Sequence, residues 1–122
     1  MVIFYIEAKD GLHDEWALKG AVFKGINLTK NFVVDSVPHT TRDIRVVSNN
    51  DFAIVAVEGF EGAMIYTANL KSSLTESVFK KAGALKDIRA FDLLPVTNGG
   101  ILVGQNYLSL ELKSFYISNS DT

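Results

Sequence analysis

The chain contains no cysteine. A disulfide framework, a thiolate zinc site and a thiol nucleophile are therefore excluded. Histidine is nearly as scarce: His13 and His39 are the only two, and they stand in neither H-x-x-x-H nor H-E-x-x-H spacing. With no sulfur ligand and no paired imidazoles, no metal site is expected. No apolar run approaches the ~20 residues that span a bilayer. The N-terminal stretch Met1-Val2-Ile3-Phe4-Tyr5-Ile6 meets Glu7 without a preceding basic segment, so it does not read as a signal peptide. A cytoplasmic protein with no membrane partner is the expectation.

An excess of charge is also missing. Twelve Lys and Arg face 14 Asp and Glu, a net charge of -2. That balance exerts no long-range pull on a phosphate backbone, so a nucleic-acid partner is not expected. The glycines form neither G-x-x-x-x-G-K-[ST] nor G-x-G-x-x-G ahead of a helix, so no phosphate cradle and no nucleotide cofactor are expected. No serine lies in G-x-S-x-G.

The densest polar cluster is His39-Thr40-Thr41-Arg42-Asp43. In an extended chain successive side chains alternate sides, so only His39, Thr41 and Asp43 could share a face. Catalysis needs a nucleophile, a base and an orienting group converging in one place, and local crowding does not supply that. The sequence therefore nominates no catalytic residue and no cofactor.

What is present is apolar and strand-like. Of the residues, 48% are hydrophobic and 21% charged, enough to build a core in one folding unit spanning residues 1–122. Segments rich in β-branched and aromatic residues, bounded by turn formers, predict strands at Val2 to Ala8, Asn31 to Val37, Ile44 to Ser48 and Phe52 to Glu58. The same signal recurs at Ala63 to Ala68, Ile88 to Leu94, Ile101 to Gly104 and Tyr107 to Ile117. Phe52-Ala53-Ile54-Val55-Ala56-Val57 is continuously apolar, as a strand buried on both faces would be. Leu108 to Lys113 alternates instead, predicting one wet face. Ser48-Asn49-Asn50-Asp51, Glu58 to Gly62 and Pro95 to Gly100 are short turn-forming links, which predicts antiparallel hairpins.

Two segments suggest helix. Ser73-Leu74-Thr75-Glu76 has the form of a capping box, with Leu74, Val78, Phe79, Ala82 and Leu85 following at helical spacing and Gly83 as a stop. Asp14 to Phe23 could form another short helix, interrupted by Gly20. The expected class is thus a mainly antiparallel β domain with one or two short helices, formally α+β.

An alternative comes from an internal echo. Asp43-Ile44-Arg45 returns as Asp87-Ile88-Arg89 about 44 residues later, near the length of one four-stranded repeat. Each copy leads to an apolar strand, Ile54 to Val57 or Ile101 to Gly104, and then to a strand ending in Tyr and Asn. Repeated four-stranded units of trefoil or propeller type would have this form.

Among eight Phe, four Tyr and one Trp, Trp16 and Phe60 fall where the local sequence reads as turn or is weakly patterned. Large aromatics in such places anchor interfaces, so these two are the candidate binding residues. The function expected is a non-enzymatic interaction or structural subunit with a protein partner or a homo-oligomeric state. A carbohydrate or small-ligand module using Trp16, and a small enzyme with a site shared between chains, are the alternatives.

Overall fold

The computed structural model describes residues 2–8, 15–38, 40–49, 51–70 and 79–118, and within them every regular element is a strand. The first sheet holds β1 (Val2–Glu7), β2 (Glu15–Lys24) and β3 (Asn27–Pro38). The central sheet holds β4 (Asp43–Ser48), β5 (Phe52–Gly59), β6 (Gly62–Asn69) and β7 (Phe79–Lys86). The third holds β8 (Ile88–Val96), β9 (Gly99–Asn106) and β10 (Leu112–Ser118). In each sheet the spatial order is the chain order and every pairing is antiparallel. No helix among the described residues is long and apolar enough to cross a membrane.

Neither expected helix is found in the described residues. The segment from Glu15 to Lys24 is β2, paired on both edges with β1 and β3. Gly20 sits in the middle of that strand because Phe32, its cross-strand partner, lays its ring over the backbone there. A Cβ at Gly20 would come 2.5 Å from Phe32 Cζ. Phe79 to Lys86 is likewise a strand, β7, paired with β6. Phe79 stacks on Phe32 with ring centroids 5.6 Å apart and meets Phe4 edge-on at 5.3 Å. These long-range aromatic contacts override a helical spacing that is only a local propensity. Ser73 and the capping box lie outside the described residues.

The three sheets stack face to face, with the central sheet in the middle. Alternation along β5 sends Phe52, Ile54 and Ala56 toward the third sheet, where they meet Ile88, Phe91, Leu93 and Leu102. Val55 and Val57 point the opposite way, toward Leu18, Phe32 and Val37 of the first sheet. All six residues from Phe52 to Val57 are buried. The unbroken apolar run is thus the signature of a strand covered on both faces.

One polar contact ties the first sheet to the central one. The Tyr66 hydroxyl donates to Asp35 Oδ2 at 2.7 Å. Burial foremost, then this hydrogen bond and the neighbouring carboxylate charge, hold the phenol pKa well above its ordinary value. Tyr66→Phe is expected to destabilise the protein by about 1.5–3 kcal/mol in urea unfolding, the range for a hydrogen bond to a charged group. A change within about 0.5 kcal/mol would show that the contact holds nothing together.

Candidate interaction site

The turn between β5 and β6 places Phe60 at the surface, 64% exposed. The chain turns there because Gly59 and Gly62 close the hairpin as cross-strand partners. The Arg89 guanidinium lies 5.3 Å from the Phe60 ring and 4.1 Å from that of Tyr107, and Arg89 Nη2 donates to the Phe60 carbonyl. Arg89 is therefore held between two aromatic faces, a geometry that suits its planar, weakly hydrated cation. Its Nε is buried without a hydrogen-bond partner among the described residues. Beside the cluster is an open cavity of about 780 Å³, whose lining includes Phe60, Glu61, Met64, Lys81, Leu85 and Tyr107.

Trp16 is not part of this cavity's lining. It is half-buried in β2, paired with Val37 and packed against the core between the first and central sheets. The structure therefore does not bring Trp16 and Phe60 together. His13 and His39 lie outside the described residues. Asp43 is occupied locally: its Oδ1 accepts from Ile44 N at 2.8 Å and from Arg45 Nη1 at 2.7 Å. Thr41 is buried, and its backbone N donates to the Pro38 carbonyl. Among the described residues no group of three or more His, Asp and Glu is placed to hold a metal.

A larger feature covers the outside of the third sheet. Cross-strand partners share a face, so Leu94, Ile101 and Tyr116 form one row, Asp92, Val103 and Ser114 a second, and Arg89, Gln105 and Leu112 a third. Their neighbours Leu93, Leu102 and Phe115 point the other way, into the core. The face turned from the core thus carries Leu94, Ile101, Val103, Leu112 and Tyr116. Leu94 is 47% exposed, Tyr116 60% and Leu112 77%.

The signal for this face was present in Ile101-Leu102-Val103, an apolar run of the same kind as that of β5. The expected alternation over Leu108 to Lys113 is corrected. Tyr107 to Ser109 form a turn, in which Asn106 Oδ1 accepts from the backbone N of Leu108 and Ser109, and Leu110 has a φ of 65°. An asparagine-led turn breaks the strand there, and Leu108, Leu110 and Leu112 are all exposed instead of sharing a buried face.

The outside of the first sheet is similar. Ile3 and Ala21 share a row with Asn31, and Tyr5 and Val33 flank Lys19, whose Nζ reaches Glu7 at 3.4 Å. Ile3 is 45% exposed and Val33 40%. Comparison of the chain with protein-family models, with curated proteins and with solved structures finds no match to any of them.

Proposed function

We propose that the protein is a non-enzymatic structural or interaction subunit, working as a sector of a larger stack of β-sheets. The observation that carries this reading is the apolar outer face of the third sheet. A strand exposed on one side normally alternates apolar-in with polar-out, and β9 instead presents Ile101 and Val103 outward around the buried Leu102. Contiguous apolar surface of this kind marks a site of protein contact.

The arrangement of the sheets supports the same reading. Each is an antiparallel meander of consecutive strands, and the central sheet shares a core with each of the other two. The Asp-Ile-Arg echo follows this order: Asp43-Ile44-Arg45 opens β4 and Asp87-Ile88-Arg89 leads into β8, the first strands of successive sheets. The apolar runs of β5 and β9 are second strands, and Tyr66 and Tyr116 lie in third strands. This is the grammar of propeller blades, in which every sheet is covered on both faces.

The reading is tested by the native mass of the protein in an extract of the cells that make it. A particle heavier than one chain is expected. Migration as a single, unaccompanied chain would refute the subunit reading.

A further inference from the structure

We infer that the outer edge of β7 is a docking site for an extended acidic peptide of a partner protein, which adds to the central sheet as a further strand. The inference goes beyond the subunit reading, because it concerns a strand edge and not the outer face of the third sheet.

The backbone gives the first ground. β7 ends the order of the central sheet, and no described residue pairs with its outer edge. Asp87 N donates to the Glu61 carbonyl, and the same register continues through Gly62↔Lys86, Ala63↔Leu85 and Met64↔Ala84. Hydrogen-bonded and non-hydrogen-bonded pairs alternate along an antiparallel ladder, so Leu85 turns its N–H and C=O toward β6 while Ala84 and Lys86 turn theirs outward. Those outward groups are a template for another strand.

The second ground is the space on both faces of β7. Lys81, Ala84 and Lys86 lie on the side of the first sheet, cross-strand from Tyr66, Met64 and Gly62, and they line the cavity of about 780 Å³. On the other side Leu85, with Ile65, Phe115 and Ile117, lines an opening of about 470 Å³ between β7 and β10. An added strand sends alternate side chains to opposite faces. One set therefore meets the lysines, and the other meets apolar side chains.

Charge selects the peptide. β7 carries Lys80, Lys81 and Lys86 and no Asp or Glu, and none of these lysines forms an ion pair with a described residue. Glu61 and Asp87 line the same cavity, but they stand at its hairpin end, beyond the strand. Carboxylates on one face of the peptide are thus opposite Lys81 and Lys86, and aliphatic residues between them cover Leu85 and Ile117. The sequence recognised alternates acidic with aliphatic residues. A second copy does not meet this requirement, because β7 beside β7 opposes lysine with lysine.

The experiment is fluorescence anisotropy of the purified protein with a labelled peptide of about six residues, the usual length of a strand, alternating glutamate and valine. Saturable binding is expected, together with slowed hydrogen exchange at the Ala84 and Lys86 amides. A peptide of alternating lysine and valine should not bind. Lys81→Glu combined with Lys86→Glu should weaken the acidic peptide at least about tenfold and admit the basic one. Ala84→Pro removes an outward N–H and spares the bonds to β6, so this variant, once its circular-dichroism spectrum is shown to be native, should lose binding.

Absence of saturable binding, equal binding of the two peptides, or binding that leaves exchange at Ala84 and Lys86 unchanged would each overturn the inference. A heavier native particle in extracts, found alongside a peptide that does not bind, would remove this inference and leave the subunit reading standing.

Discussion

Replacing Ile54 with Ala is expected to destabilise the protein by about 2–5 kcal/mol, the cost of deleting a large aliphatic side chain from a site that cannot collapse around the loss. Ile54 is completely buried, and its Cδ1 lies 3.3 Å from where a Cβ at Gly100 would sit. Leu93 closes on the same spot at 3.4 Å. The glycine thus makes room for the isoleucine, and truncation leaves a void between two sheets whose backbones are pinned by hydrogen-bonded neighbours. Equilibrium urea unfolding checks this. A loss under about 0.5 kcal/mol would mean that the contact between the central and third sheets contributes little to the fold.

Gly62→Ala should be at least as damaging, at about 3–5 kcal/mol, because two independent penalties coincide. Gly62 has a φ of 137°, a conformation that a side chain disfavours. A Cβ there would also lie 2.1 Å from the Leu85 carbonyl oxygen and 2.8 Å from the Asp87 nitrogen. Both are backbone atoms, so no rotamer change relieves the clash, and β7 would have to move off β6. Gly25→Ala provides the comparison. Its φ is 64°, with nothing within 4 Å of the added carbon, so it should cost only about 1 kcal/mol. Thermal unfolding of both variants separates backbone strain from steric exclusion. Equal losses would show that the approach of Leu85 to Gly62 is not a constraint.

Strand positions were legible in the sequence where the signal is local. Phe52 to Val57 reads as doubly buried from composition alone, and the turns at Asn98-Gly99 and Phe60-Glu61 are written in residues that tolerate turn geometry. Layering was not legible, because which sheet covers which depends on contacts between distant residues. Phe32 over Gly20 and Phe79 on Phe32 are such contacts, and they turned two segments with helix-like spacing into strands.

The candidate site was half legible. Phe60 was found as an aromatic in a turn, but Arg89 and Tyr107 lie far along the chain and meet it only through the fold. Trp16, found by the same rule, faces inward, because Trp16, Leu18 and Gly20 alternate onto the core side of β2, and a glycine at one of those positions hides the strand pattern in the sequence. The outer face of the third sheet escaped for a different reason. Apolar residues on both sides of a strand look like core in sequence, and only the stack shows that one side is turned away from the core of the described residues.

The strict agreement between chain order and spatial order has a consequence for how this fold can form. Every strand pairing joins neighbours in sequence, so each hairpin closes a short loop, with a small loss of chain entropy and no wait for distant segments to meet. The interfaces between sheets are the only steps that demand longer searches, and both of them share β5. Early local hairpins therefore gain lasting stability only once β5 is in place, since it supplies the floor for one outer sheet and the ceiling for the other.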